Sequence, residues 1–308
     1  MNNKKLFLID TYTILYQGYY AYIKNPLFTS QGINTSPIIH FTYLLINTLN
    51  EEKPSYMAAF FDTSQKTFRK KEYPKYKAHR KKTPRDISIA MPYVINILKS
   101  FRISSFYAKD GYEADDLIGT IAKEAEKKGY MIYIITLDKD FSQLVTKNIH
   151  IYRPPFKGNP KKILGIEEIK EKFGVIEPKQ VIDLWSMMGD SSDNIPGLPG
   201  IGEKYARKFI QKYGSLEKFL NSTHDLSGKI KKNIENNKEL GILSKRLVTI
   251  VTNVPLFYFQ EEKFYVKKPN WNSIRKIFCE LEFQRLLKKA YQFILYKRKE
   301  WNDHPFHS

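Results

Sequence analysis

Three short apolar runs punctuate the first half of the chain, at residues 6–9 (LFLI), 57–61 (MAAFF) and 131–136 (MIYIIT). Each run is continuous rather than alternating, the pattern of a strand buried on both faces. Between them, apolar positions recur at helical spacing around residues 38–50, 87–101 and 114–128. Strands alternating with helices predict an α/β fold with a mostly parallel central sheet. From about Phe173 the pattern becomes helical and turn-rich, with one further strand expected at residues 256–259 (LFYF). The Pro- and Gly-rich stretch at 153–162 (RPPFKGNPKK) reads as a loop, and a domain change is placed just after it, within residues 165–174. The expected division is an α/β unit over 1–172 and a helical unit with a C-terminal extension over 173–308. Within the latter, residues 271–296 read as one or two amphipathic helices and the last ten as a frayed end. No internal repeat is present.

Composition narrows the class. The chain has 308 residues, 42% hydrophobic and 14% aromatic, which is globular and not disordered. Cys279 is the only cysteine, so no intramolecular disulfide forms, and a reducing cytoplasm is the expected setting. No apolar run approaches the roughly 20 residues of a membrane span. The opening MNNKKLFLID has basic residues before an apolar run, but the run is too short for a signal peptide. Net charge is +19 from 51 Lys and Arg against 32 Asp and Glu. That excess suits a polyanionic partner, although a drift toward Lys would produce it too.

Against this background the acids stand out. GYEADD places Glu113, Asp115 and Asp116 within four residues, although two unit charges about 4 Å apart repel by roughly 4 kcal/mol near a surface. One acid there would serve as an ordinary helix cap; three exceed that need. Asp10 and Asp62 each follow a predicted strand, TLDKD brings Asp138 and Asp140 after the third, and MGDSSDN supplies Asp190 and Asp193. Ligands of open parallel sheets bind at the carboxyl ends of the strands, so the acids that follow the strands point to one edge. Oxygen-only ligands select Mg²⁺ or Mn²⁺ over zinc. Two such ions can activate a water and stabilise the leaving oxygen of a phosphodiester.

Two basic features accompany the acids. Residues 66–85 (KTFRKKEYPKYKAHRKKTPR) hold ten Lys and Arg in twenty positions, with Phe68, Tyr73 and Tyr76 interleaved. Such a stretch holds phosphates and stacks bases, with Arg69 among its candidate contacts; a solvated charged loop is the plainer alternative. GLPGIGEKYARKF is a glycine-bearing turn opening a basic helix, where Gly200 and Gly202 permit close approach of a phosphate and Lys204 adds charge.

GYEADD, TLDKD and MGDSSDNIPGLPGIGEK together resemble the 5′-nuclease family of flap endonucleases, in particular the N-terminal 5′→3′ exonuclease domain of bacterial DNA polymerase I. FFDTSQKTFRKKEYPKYKAHR, YGSLEKFL and LEFQRLL extend the likeness over about residues 4–290. The resemblance implies a PIN-like α/β nuclease domain followed by a helix–turn–helix-type (H2TH) DNA-binding domain. It implies metal ligands at Asp10, Asp62, Glu113, Asp115, Asp116, Asp138, Asp140, Asp190 and Asp193, with Asp116 also catalytic. Lys77 and Arg80 would contact the scissile phosphate and Tyr76 would stack nearby. Gly197 to Lys204 would hold the downstream duplex, with a K⁺ ion at the turn. The implied activity is cleavage of flapped, branched or RNA-primed DNA, by a monomer acting beside a separate polymerase and ligase. No polymerase region follows in this sequence. Four positions depart from the pattern: Gln17 stands where Arg is usual, Thr11 and Tyr12 replace small residues, and Leu137 replaces a Gly. A branched-DNA-binding protein of impaired activity is the alternative those departures support.

Overall fold

The computed structural model describes residues 4–302, with side chains through Leu295. The chain runs β1 (Lys5–Asp10), α1 (Thr11–Ala21), α2 (Ser36–Glu51), β2 (Tyr56–Phe61), the short α3 (Phe68–Glu72), α4 (Arg85–Ser100), β3 (Ser104–Tyr107), α5 (Ala114–Lys127), β4 (Met131–Ile135), β5 (Ile149–Arg153) and β6 (Lys162–Leu164). Helices follow: α6 (Ile166–Phe173), α7 (Val181–Met188), α8 (Glu203–Tyr213), α9 (Leu216–Asn221), α10 (Gly228–Asn236), α11 (Lys238–Val248), α12 (Glu261–Phe264), α13 (Trp271–Glu280) and α14 (Gln284–Asn302).

The six strands form one sheet in the order β3-β2-β1-β4-β5-β6. All neighbours pair in parallel except β5 and β6. The continuous apolar runs have a simple cause: alternate side chains of β1 enter two different cores. Leu6 and Leu8 pack with α5, through Leu117, Ile118 and Ile121. Phe7 and Ile9 pack on the other face with residues of α1, α2 and α4. The result is a helix–sheet–helix sandwich.

The second half is packed closely onto the first. The apolar core continues without a break from the sheet into the helical segment, through Val181, Leu184, Leu198, Ile210 and Phe219. The last two helices return to the sheet's opposite face, where Ile274, Phe278, Phe283 and Phe293 join the core of α2 and α4. Residues 256–259 are not a strand. Leu256 is 93% exposed with φ +57°, while Phe259 turns inward against Tyr130. The end expected to fray is helical to Asn302, and the rest of it lies outside the described residues. Among the described residues no helix is long and apolar enough to cross a membrane.

Candidate active site

Parallel pairing brings the carboxyl ends of β1, β2 and β4 to one edge. Asp10 is the last residue of β1, Asp62 follows β2, and Asp138 lies three residues beyond β4. Helix α5 starts at the same edge and carries Asp115 in its first turn. These four carboxylates line a cleft of about 550 Å³ with Tyr12, Thr13, Tyr16, Lys77, Arg80 and Lys81.

The acids have few local partners. Asp10 caps α1, accepting from the Thr13 backbone N–H and hydroxyl and from the Thr136 hydroxyl at 2.7 Å. Asp62 accepts from the Ala114 N–H at 2.8 Å. Burial, opposed by those hydroxyls and reinforced by Asp138 and Asp62, pushes Asp10 up to about 6. Lost solvation also raises Asp62, Asp138 and, most of all, Asp115 and Asp140, with the neighbouring carboxylates adding to the effect. A site that resists ionisation in this way has unspent affinity for cations.

The remaining acids are largely answered by cations of the protein itself. Lys77 Nζ lies 3.0 Å from Glu113 and 3.6 Å from Asp193, and Arg80 also pairs with Asp193. Burial works to raise Glu113, but Lys77 and Arg69 outweigh it and hold the carboxyl below its ordinary value. Asp190 accepts from Lys139 at 3.0 Å and from the Ser192 N–H at 2.8 Å. Lys139 sits over the Trp185 ring, 3.7 Å from its centroid. Part of the compensation that the acid cluster demands is therefore lysine and arginine.

The basic stretch is not a free loop. Tyr76 is buried with Ile195, Leu247 and Val248, and its hydroxyl donates to Glu113 at 3.1 Å. Asn194 donates to the Lys75 carbonyl at 2.7 Å, and Lys77 N–H to the Asp193 carbonyl at 2.8 Å. Tyr76 is 3% exposed, so as it stands it cannot stack on a base. Arg69, expected as a phosphate contact, is 2% exposed and bound to Asp116. Asp116 itself is fully buried and does not line the cleft. The plain reading of an acid in the first turn of a helix holds for it, since it accepts the Glu113 N–H at 3.0 Å. Among the described residues, no three acidic, His or Cys side chains form a ready-made ligand cluster.

The departures from the family pattern also find places. Gln17 pairs with His40 at 2.9 Å and does not line the cleft. Thr11 is fully buried, whereas Tyr12 stands in the cleft wall. Gly197 is required by packing rather than by a ligand: with φ +64°, a Cβ there would fall 2.3 Å from the Gly189 nitrogen. Gly200 (φ +84°) and Gly202 have room around them, and Gly202 precedes the exposed Lys204 at the start of α8.

A parallel sheet gathering carboxylates at its carboxyl edge beside a basic wall defines an α/β nuclease-type site, and comparison with known proteins gives the family. Residues 5–174 match the 5'-3' exonuclease, N-terminal resolvase-like domain, and residues 176–272 the 5'-3' exonuclease, C-terminal SAM fold. The chain belongs to the 5′-3′ exonuclease family. It is 38% identical over 288 residues to DNA polymerase I of Bacillus subtilis, covering 93% of this chain and 32% of that protein. DNA polymerase I of Caldicellulosiruptor bescii is likewise 38% identical over 289 residues, with 92% and 33% covered. The chain thus spans about a third of the length of these relatives. The same fold occurs in T5 5'-exonuclease with bound divalent metal ions (TM-score 0.64, 20% identity, 95% of this chain and 98% of that one). It occurs too in the catalytic core of Rad2 in complex with DNA substrate (TM-score 0.61, 18% identity, 95% and 91% covered).

Proposed function

We propose that the protein is a divalent-metal-dependent 5′ nuclease that hydrolyses phosphodiesters at the ends and flaps of branched DNA, RNA-primed DNA included. The observation that carries this reading is the cleft itself, with Asp10, Asp62, Asp115 and Asp138 on one side and Lys77, Arg80 and Lys81 on the other. The donor set fits a hard cation: it offers four carboxylates, no His or Cys lines the cleft, and loss of solvation leaves Asp10 and Asp115 undercompensated. Asp10, Asp62, Asp115 and Asp138 would hold Mg²⁺ or Mn²⁺, and Asp140, Asp190, Asp193 and Glu113 stand nearby. When bound, two such ions supply a nucleophilic hydroxide at neutral pH and a Lewis acid at the leaving oxygen.

The chain's own residues do the rest. Lys77 and Arg80 present positive charge where the scissile phosphate gathers negative charge. Tyr12 and Tyr16 offer ring faces in the same cleft. Lys81 in the cleft wall and the exposed Lys66, Lys71, Lys75 and Lys82 of the same segment would track the backbone. The turn from Gly200 to Lys204 would hold the downstream duplex, with K⁺ as the family resemblance implies. The protein would act as a monomer in the cytoplasm, on intermediates that a polymerase makes and a ligase seals.

The test is cleavage of a 5′-labelled double-flap duplex in Mg²⁺, in Mn²⁺ and in EDTA, for the native chain and for Asp115→Asn. Metal-dependent cutting at the flap base, absent with EDTA and reduced at least about 100-fold in the variant, is expected. Tight flap binding without cutting in either metal would overturn the nuclease reading and leave a DNA-binding protein.

A further inference from the structure

Asp116 has no lone pair left for a metal ion. Its Oδ1 accepts from Arg69 Nη2 at 2.7 Å and from the Val251 N–H at 2.8 Å. Its Oδ2 accepts from Arg69 Nη1 at 2.8 Å and from the Glu113 N–H at 3.0 Å. A carboxylate offers about four acceptor positions, and all are taken. Arg69 makes four hydrogen bonds with its five donors. Its Nε donates to the Leu247 carbonyl at 2.9 Å and its Nη2 to the Thr249 carbonyl at 2.7 Å. Its remaining donor lies 3.5 Å from Glu113 Oε2. Both side chains are buried, Arg69 at 2% exposure and Asp116 at 0%.

The pair joins three separate pieces of chain. Asp116 stands at the start of α5, next to the cleft acid Asp115. Arg69 stands on α3, eight residues before Lys77. The carbonyls and the N–H at 247–251 belong to the segment that leaves α11, within the helical half. We infer that Arg69 and Asp116 form a positioning clamp that fixes the carboxylates of α5, the Lys77–Arg80 wall and the helical half relative to one another. Neither residue then touches substrate or metal. A planar, bidentate guanidinium fork suits this role because it constrains angle as well as distance. Displacement of reacting groups by about 1 Å can cost about 100-fold in rate, so a clamp at this position acts on turnover.

The inference rests on the proposed nuclease function, and the experiment separates the two. Arg69→Gln, Asp116→Asn and the double variant are compared with the native chain. Three quantities are measured: flap-cleavage kcat and KM, Mn²⁺ binding by electron paramagnetic resonance without DNA, and the urea unfolding midpoint. A clamp predicts that both single variants lower kcat alike, by about 100-fold, with KM moving little. It predicts that both weaken Mn²⁺ binding by the same factor, within about 10- to 100-fold. The double variant should be no worse than either single one, because the two residues act as a unit. If Asp116 is instead a ligand, Asp116→Asn alone weakens Mn²⁺ binding, Arg69→Gln spares it, and the losses multiply in the double variant; that result overturns the clamp. Should Arg69→Gln fail to fold, Arg69→Lys keeps the charge without the fork and carries the same comparison. A native chain that cuts no flap would sink the nuclease reading, while the Mn²⁺ and unfolding cycles would still decide the clamp.

Discussion

Replacing Lys77 separates the two roles that the structure gives it. Its Nζ lies 3.0 Å from Glu113 at the edge of the cleft, and its side chain is 23% exposed, open enough to meet a phosphate. Its backbone is left-handed, with φ +52°, held by the N–H bond to the Asp193 carbonyl at 2.8 Å. Removing one preorganised positive group from a site of developing charge costs about 100- to 1,000-fold in kcat, or roughly 3–4 kcal/mol. Both Lys77→Ala and Lys77→Gly should show that loss. Folding should survive, because Glu113 keeps the Tyr76 hydroxyl at 3.1 Å and Arg69 at 3.5 Å. The backbone then divides the two variants. A non-glycine residue in the left-handed region carries about 1–2 kcal/mol of strain, so Lys77→Gly should be about 1 kcal/mol more stable than Lys77→Ala. Single-turnover flap cleavage reads the first effect and urea unfolding the second. Cleavage by Lys77→Ala within about three-fold of native would refute the electrostatic role. A glycine variant less stable than the alanine variant would refute the backbone strain.

Other expectations follow from single contacts. Burial pushes the His40 imidazole down to about 4, so between that pH and about 6.5 the unfolded chain binds a proton that the folded one refuses. Stability should be intact above about 6.5 and fall as the pH drops toward 4, by at most ~3 kcal/mol, and His40→Gln should flatten the curve in urea titrations. Gly197→Ala places a Cβ 2.3 Å from the Gly189 nitrogen at positive φ and should cost about 3 kcal/mol or more; Gly202→Ala meets open space and should cost less than about 0.5. Gln17→Arg removes the 2.9 Å partner of His40 and should cost about 1 kcal/mol of stability. Because Gln17 does not line the cleft, the change should leave kcat within about three-fold.

The sequence was most informative where burial was complete. The apolar runs of β1, β2 and β4 are legible because both their faces are covered, and the acids after them are placed by the parallel topology alone. The edge elements were less visible. Strand β3 is Ser-Ser-Phe-Tyr, partly exposed along its length, and β6 is three residues at the other edge. Helix α1 carries four Tyr and no acid or base, and it begins directly on the β1 acid, so no break announces it. Residues 256–259 look like a strand only because aromatics can also fill a core from irregular chain, as Phe259 does. At the site, the sequence gathered nine acids without ranking them. Four line the cleft, whereas Asp116 is consumed by Arg69, 47 positions away in the chain. No local pattern distinguishes Arg69 from the other cations of its basic run. Its role is set by the Leu247 and Thr249 carbonyls, which only the folded chain brings to it.

The central claim is that the cleft at the carboxyl edge of the sheet binds the ions that make this protein a nuclease. Anomalous diffraction from crystals soaked in Mn²⁺ tests it most directly. The account predicts Mn²⁺ peaks among Asp10, Asp62, Asp115 and Asp138, with none against Asp116. Peaks confined to other surfaces, or a cleft that stays empty at Mn²⁺ concentrations that support flap cleavage, would contradict it.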